Sequence, residues 1–144
     1  SLIICDIDAF KEYNDLYGMH AGNQCLVRIS TAIIDQTKRA GDFVSRYGGE
    51  EFALILPDTK EIAALEIAET LRHAVYEQTV LHAGAPEERV VTASFGVATV
   101  VPEERMRYGE FVRIADNALT RAKRSGGNCV YTIDGSRSQD MSQD

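Results

Sequence analysis

Apolar residues recur along this chain with two different periods, and the alternation of these periods predicts the order of its elements. Short apolar runs rich in β-branched residues, such as residues 2–6, are typical of buried strands. Stretches with apolar residues three or four positions apart are typical of helices with one buried face. The expected strands span residues 2–6, 43–47, 52–56, 90–101 and 129–133, and the expected helices span residues 9–16, 22–38, 60–79 and 108–123.

This order, β-α-α-β-β-α-β-α-β, predicts an α+β fold. We expect helices to pack on one mostly antiparallel five-stranded sheet that is entered by a split βαβ-type crossover. The domain is expected to span residues 1–134, and the polar tail at 135–144 is expected to be disordered. Because the chain opens directly on a predicted strand, we expect it to be an N-terminally truncated part of a longer protein.

Single residues predict where these elements begin, end or face the core. Asp8 is a suitable N-cap for the first helix, and Gly18 and Gly22 should separate that helix from the second. Gly96 predicts a bulge or a close backbone approach within a strand. The apolar stripe of the third helix is expected to face inward and consists of Ile62, Leu65, Ala68, Leu71 and Val75.

The composition narrows the class of protein. Of the 144 residues, 44% are hydrophobic and 26% are charged, as in an ordinary globular domain. The formal net charge of -7 argues against a nucleic-acid binder, because an acidic surface repels a phosphate backbone. An anionic substrate would therefore need local cations or a metal.

The cysteines and the hydropathy predict a cytoplasmic location. The three cysteines lie in apolar stretches without zinc or redox spacing, so we expect buried thiols in a reducing compartment. No apolar run reaches the length needed to span a membrane. The domain could still be the cytoplasmic part of a larger, membrane-anchored protein.

Acidic residues stand at the end of one predicted strand and beside a predicted hairpin turn. Asp6 closes the first strand, and Glu50 and Glu51 follow the tight turn at Gly48 and Gly49. If the strand lies beside the hairpin, the three carboxylates converge, and such hard oxygen ligands suit Mg²⁺. Separate solvated carboxylates at turns are the alternative interpretation.

The two turn glycines allow two interpretations as well. Gly48 and Gly49 are expected to adopt positive φ in the hairpin, and they would also let a ligand lie on the backbone. The chain has no Gly-x-x-x-x-Gly-Lys-Ser/Thr loop, so a triphosphate would not be bound in the P-loop manner. Free N–H groups at the start of the first helix, near Phe10 and Lys11, favour phosphate. Lys123 is a second candidate cation, although an isolated lysine is usually only a surface charge.

Two amides and one Arg-x-x-Asp pattern are further candidates. Asn14 and Asn23 flank the junction between the first two helices and could read a purine edge, or they could be turn and cap residues. Arg39 and Asp42 match a common helix-exit pattern, so their spacing alone predicts little.

Taken together and in this order, four segments resemble the GGDEF family of diguanylate cyclases. The resemblance covers about residues 2–132. The four segments are Asp6–Asp15, Arg46–Phe52, Ser94–Ala98 and Ala115–Lys123, the last followed by Gly126 and Asn128. The Arg46–Phe52 segment, Arg-Tyr-Gly-Gly-Glu-Glu-Phe, is similar to the motif that names the family, in its Glu-for-Asp form.

The resemblance implies a fold like the nucleotidyl cyclase and polymerase palm, with a ferredoxin-like core. It implies that two GTP molecules condense to cyclic di-GMP with release of pyrophosphate, in a homodimer whose two half-sites face each other. It also implies two Mg²⁺ (or Mn²⁺) ions per active site, a sensor or regulatory domain upstream, and no nucleic-acid partner.

The resemblance assigns a role to each candidate residue. The implied metal ligands are Asp6, the Ile7 carbonyl, Glu50 and Glu51. The implied catalytic residues are Glu50, which helps to deprotonate the 3′-hydroxyl, together with Glu51 and Lys11. The implied GTP contacts are Phe10, Lys11, Asn14, Asn23, Gly48, Gly49 and Lys123. The implied inhibitory site for cyclic di-GMP is Arg39 with Asp42, which stand at the family's usual distance before Gly48.

Some positions depart from the family pattern. Asn23 stands where most members have Asp, and Gly127 stands where an Arg often helps Lys123 to bind phosphates. The other departures are Met19 for His, Thr120 for Tyr and Thr70 for an Arg of the inhibitory site. The resemblance therefore leaves two functions open: an active cyclase, or a weak or inactive module that senses GTP or cyclic di-GMP.

Overall fold

Three helices and five strands form the part of the chain that the computed structural model describes, residues 1–85 and 89–132. In chain order the elements are β1 (Leu2–Ile7), α1 (Phe10–Gln36), β2 (Phe43–Arg46), β3 (Glu51–Ile55), α2 (Glu61–Tyr76), β4 (Ala93–Ala98), α3 (Tyr108–Arg124) and β5 (Val130–Thr132). The predicted tail at 135–144 lies outside the described residues, as do residues 86–88 between the predicted helix 60–79 and the predicted strand 90–101.

The sheet has the order β2-β3-β1-β4-β5, so β1 lies at its centre. β1 is antiparallel to both β3 and β4, β2 is antiparallel to β3, and only the β4–β5 pair is parallel. This confirms the α+β fold with a mostly antiparallel five-stranded sheet. The central position of β1 explains why its residues 2–5 are apolar and buried on both faces of the sheet.

Helix α1 contains both of the first two predicted helices. Gly18 interrupts it with φ 85° and ψ 163°, a conformation that glycine adopts easily and that breaks the helical path. The predicted break at Gly18 is therefore confirmed, whereas Gly22 lies inside the helix and is buried. The predicted cap is wrong, because Ala9, with φ 50°, precedes the helix and Asp8 bonds elsewhere.

The sheet buries apolar side chains on both faces. On one face Ile3, Cys5 and Ile7 pack with α1 and α2, and on the other Leu2 and Ile4 pack with α3. The predicted close approach at Gly96 is confirmed, since a Cβ there would overlap the α3 backbone at Ala115 and Leu119. All three cysteines are buried thiols that form no disulfide, as predicted. Burial raises the pKa of the Cys25 thiol to about 11, so it stays protonated at neutral pH.

Two details of the core differ from the expectation. Ile62 is 65% exposed, because it lies in the first turn of α2, before the first of the helix's buried residues. The other residues of the predicted stripe are buried. Strand β4 covers only Ala93–Ala98, and Val90 forms just an isolated bridge with Leu81. Within the described residues, no helix is both long and apolar enough to cross a membrane.

Candidate active site at the end of β1

The end of β1 and the β2–β3 hairpin bring the predicted acidic residues together. Asp6 lies opposite Glu51 in the antiparallel register, and the Ile7 N–H donates a hydrogen bond of 3.2 Å to the Glu50 carbonyl. Sequence-distant carboxylates thus meet at one edge of the sheet, as the strand order requires.

Lys123, on the last turn of α3, reaches the same place. Its ammonium donates to Asp6 Oδ1, and the Asp6 side chain is only 14% exposed. Burial raises the pKa of the Asp6 carboxyl, Lys123 lowers it, and the neighbouring charges of Glu50 and Glu51 raise it further, with a net upward shift. The site therefore carries more negative charge than Lys123 alone offsets.

The donor chemistry of this edge fits a hard divalent cation. Asp6, the Ile7 carbonyl and Glu50 offer oxygen ligands of the kind Mg²⁺ prefers, and a cation would favour the ionised form of Asp6, which burial first and then the charges of Glu50 and Glu51 disfavour. No group of three or more His, Cys, Asp or Glu side chains is gathered to chelate a metal among residues 1–85 and 89–132.

Arg46 fixes the turn that carries Glu50. Its Nε donates to the Gly49 carbonyl at 2.9 Å and to the Gly48 carbonyl at 3.2 Å, and its Nη2 donates to Gly49 at 2.6 Å. Neither glycine has positive φ, so that expectation is wrong. A Cβ on Gly48 would instead lie 2.7 Å from Glu51 Oε2, so Gly48 leaves room for this carboxylate.

The start of α1 is fixed by a histidine that the sequence did not single out. His82 is fully buried; its Nε2 donates to the Ala9 carbonyl at 2.9 Å, and its Nδ1 accepts from the Gly84 N–H at 3.3 Å. Lys11 is exposed at this helix start, where the first N–H groups have no helical partner. The Phe10 side chain is buried and stacks on a tyrosine, so only its backbone is available to a phosphate.

The kink in α1 separates the two candidate base-reading amides. Among the buried side-chain nitrogen and oxygen atoms of the described residues, Asn14 Oδ1 is the one without a hydrogen-bond partner. It lies against Gly22, where any Cβ would overlap it. Asn23 is exposed and lines a groove of about 330 Å³ between α1 and β2, together with Arg46.

Asp8 connects three parts of the chain instead of capping α1. Its Oδ2 accepts from the Thr92 hydroxyl at 2.8 Å and from the Asn128 N–H at 2.9 Å, and its Oδ1 accepts from the Ser94 hydroxyl at 2.7 Å. A Cβ on Gly127 would lie 2.9–3.1 Å from this carboxylate. No local sequence signal indicated these contacts, since the partners are 84 to 120 residues away.

Arg39 and Asp42 form an ion pair apart from this edge. Arg39 Nη2 donates to Asp42 Oδ1 at 2.8 Å and to the Pro57 carbonyl at 2.8 Å, and it also contacts the Thr59 hydroxyl. The Arg39 side chain remains 47% exposed, whereas that of Asp42 is 5% exposed. Asp42 therefore orients a guanidinium that stays accessible to solvent.

Comparison with known proteins gives one family. The family described as "Diguanylate cyclase, GGDEF domain" matches residues 1–129. The chain is 39% identical over 130 residues to diguanylate cyclase DosC of Escherichia coli (strain K12), covering 90% of this chain and 27% of DosC. It is 40% identical over 130 residues to diguanylate cyclase DgcM of the same organism, covering 90% of this chain and 30% of DgcM.

Solved structures agree with this family. The GGDEF domain of DgcB from Caulobacter crescentus in complex with c-di-GMP has a TM-score of 0.81 and 30% identity, covering 92% of this chain and 77% of that one. The active GGEEF domain of a diguanylate cyclase from Vibrio cholerae has a TM-score of 0.76 and 27% identity, covering 94% and 83%. The chain spans less than a third of the length of the curated relatives DosC and DgcM. It belongs to the GGDEF family of diguanylate cyclase domains.

Proposed function

We propose that this chain is a catalytic domain that condenses two GTP molecules into cyclic di-GMP and two pyrophosphates. The observation that carries the proposal is the edge where Asp6, Glu50 and Glu51 meet, with Lys123 bound to Asp6. A group of acidic residues beside a lysine suits a metal–triphosphate complex, because the metal offsets the phosphate charge that the acidic chain cannot.

In each half-reaction the 3′-oxygen of one GTP bonds to the α-phosphorus of the other, and the bond to pyrophosphate breaks. Bound Mg²⁺ or Mn²⁺, two per site, would supply Lewis acidity, with Asp6, the Ile7 carbonyl, Glu50 and Glu51 as the ligands. Glu50 accepts the proton of the 3′-hydroxyl at its carboxylate and passes it to water. Arg46 supports this step by fixing the turn before Glu50.

The phosphates are bound by cations from two helices. Lys11 is exposed at the N-terminus of α1. The ammonium of Lys123, which donates to Asp6 in the absence of substrate, binds the triphosphate instead when GTP enters the site. Backbone groups at Phe10, Gly48 and Gly49 border the same space. These contacts place the α-phosphorus for attack, so their main effect is on orientation.

Guanine is read by the two amides of α1. Asn14 Oδ1, buried without a partner, gains one when it accepts from a base N–H, which favours binding. Asn23 offers one acceptor where a carboxylate would offer two, so selectivity for guanine is weaker than with Asp at this position.

Because one domain binds one GTP, the reaction needs two copies whose sites face each other. We therefore propose a homodimer, driven by an upstream regulatory domain of a larger protein. Product feedback is assigned to Arg39 and Asp42, since an exposed guanidinium already oriented by a carboxylate suits bidentate binding of a phosphate or guanine.

The test is product analysis with a dimerised form of the domain, fused to a constitutive dimeriser and incubated with GTP and Mg²⁺. We expect cyclic di-GMP and pyrophosphate from the parent, and loss of turnover in Glu50→Gln with an unchanged fold by circular dichroism. Glu66→Gln, an exposed change on α2, is the matched control. Full turnover by Glu50→Gln would refute the metal and base assignment.

A sensing module is the second candidate function, and Gly127 favours it. This residue supplies no cation, and its φ of 76° and its contact with Asp8 disfavour any larger side chain. Binding of GTP or cyclic di-GMP by the folded dimer without any product would select this candidate.

A further inference from the structure

The carboxylate of Asp8 links the central strand to the end of α3. Three donors fill most of its acceptor positions: the hydroxyls of Thr92 and Ser94, which are both buried, and the Asn128 N–H. The Asp8 N–H also donates to the Thr92 carbonyl at 2.9 Å. The Asp8 carboxylate is therefore bound by three protein donors, although Asp8 stands two residues from the candidate metal ligand Asp6.

The turn that receives Asp8 is tightly bonded to α3. The Gly126 N–H donates to the Lys123 carbonyl at 3.2 Å, and the Gly127 N–H donates to the Ala122 carbonyl at 3.1 Å, which is the pattern of a Schellman motif. Gly126 and Gly127 both have positive φ, and Asn128 follows with φ 47°. The position of Asn128 is thus coupled through two hydrogen bonds to the last turn of the helix.

That last turn carries Lys123, whose ammonium binds Asp6. Asp6 lies near the end of β1 and Asp8 directly follows that strand, so a series of contacts runs from Asp8 through Asn128 to Lys123 and back to Asp6. A lysine ammonium can act only within the reach of its four-carbon side chain, so the position of its backbone sets which groups it can contact. Asp8 connects the residue after β1 to this backbone through a charged hydrogen bond, which its carboxylate accepts from the Asn128 N–H at 2.9 Å.

We propose that Asp8 is a positioning residue that fixes the end of α3, and thereby places Lys123 over the phosphate site. This proposal rests on the proposed cyclase function. Asp8 acts through hydrogen-bond geometry and not as a metal ligand, so its charge is dispensable provided that its three bonds persist.

Two substitutions separate geometry from charge. Asp8→Asn can retain all three bonds, because its oxygen can accept from Thr92 and Asn128 while its amide donates to the Ser94 hydroxyl, which can reverse its role. Asp8→Ala loses all of them. We expect kcat/KM for GTP to fall roughly a hundredfold in Asp8→Ala, the effect of misplacing a substrate-binding group by about 1 Å, and to stay within a few-fold of the parent in Asp8→Asn. Asp35→Ala, an exposed change on α1, is the matched control.

The decisive measurement is a double-mutant cycle with Lys123→Ala in the dimerised domain. If Asp8 acts through Lys123, kcat/KM for GTP is no lower in the variant with both changes than in Lys123→Ala alone. The ratio of the effect on kcat to the effect on KM is then also the same in Asp8→Ala as in Lys123→Ala. Losses that multiply in the double variant would overturn the proposal. So would Asp8→Asn losing as much activity as Asp8→Ala while folded, because the charge would then be essential.

Two further measurements keep the test independent of folding and of the cyclase assignment. Hydrogen exchange of the Asn128 amide should be faster in Asp8→Ala and unchanged in Asp8→Asn; equal exchange in both would refute the anchor. If Asp8→Ala does not fold, Thr92→Val with Ser94→Ala removes two of the three donors and should show the same kinetic signature. Absence of product from the parent would refute the proposed function, whereas the exchange experiment would still decide whether Asp8 anchors the turn.

Discussion

Gly22 in α1 allows the stability of the domain and its affinity for GTP to be changed in opposite directions. In a helix, Gly is about 1 kcal/mol less favourable than Ala, so Gly22→Ala should stabilise α1 by about that amount. The new Cβ overlaps Asn14 Oδ1, which is the end of a flexible side chain and can rotate away. Because this oxygen is buried without a hydrogen bond, its displacement toward water costs little and can add to the stability.

The same displacement removes a proposed base contact. Losing one hydrogen bond to guanine costs about 1–2 kcal/mol, so KM for GTP should rise roughly tenfold. Thermal unfolding should show a midpoint about 3 °C higher, given the size of the domain. Gly109→Ala is the matched control, since Gly109 lies in α3 with no atom near the added Cβ; it should alter stability without altering KM.

Two results would refute this reasoning. An unchanged KM for GTP in Gly22→Ala would mean that Asn14 does not contact the base. A loss of more than about 1 kcal/mol of stability relative to Gly109→Ala would mean that the helix moves instead of the Asn14 side chain, because a rigid amide transfers the overlap to the backbone.

Three other changes test separate parts of the site. Asn23→Asp should increase the preference for GTP over ATP roughly tenfold in competition kinetics, because it restores a second acceptor for guanine; an unchanged preference would contradict this. Gly127→Arg should lower the free energy of unfolding in denaturant titrations by about 1–2 kcal/mol, because its φ of 76° and the proximity of Asp8 both oppose a side chain, and a more stable variant would contradict it. Burial raises the pKa of Asp6, so the Asp6 carboxyl binds its proton more tightly in the native state than in the unfolded chain. Asp6 therefore lowers the free energy of unfolding as the pH rises from the unfolded pKa of about 3.9 through the folded pKa. With a chelator present to remove metal ions, the free energy of unfolding should therefore fall less across that pH window for Asp6→Asn than for the parent. Parallel curves of the free energy of unfolding against pH would contradict this prediction.

Features with a strong local signal were predictable from the sequence. The apolar run of β1, the stripe of Leu65, Ala68 and Leu71 on α2, and the break at Gly18 each depend on neighbours in the chain, and the structure has all of them. The convergence of Asp6 with Glu51 was expected on the condition that the first strand lies beside the hairpin, and the structure pairs the two residues because β1 is antiparallel to β3 in a register that buries the apolar side chains.

Asp8 and His82 show why the rest was not predictable. Aspartate before a helix is usually a cap, but the hydroxyls of Thr92 and Ser94 and the Asn128 N–H offer Asp8 three bonds, more than a cap would. His82 lies outside every predicted helix and strand, yet its two ring nitrogens bond to the Ala9 carbonyl and the Gly84 N–H inside the protein. In both cases the deciding partner comes from a distant segment.

The contact between Asp8 and the turn after α3 gives a physical meaning to the departure at Gly127. A side chain at this position would have to fit a left-handed backbone conformation and a carboxylate about 3 Å away. An Arg there would add a cation for phosphate only if the turn moved away from Asp8, and that movement would displace Lys123 as well. Under the proposed function, phosphate binding at this end of α3 therefore depends on where Lys123 is placed, with no arginine at position 127 to assist it, and Gly127 leaves the room in which Asp8 accepts from the Asn128 N–H.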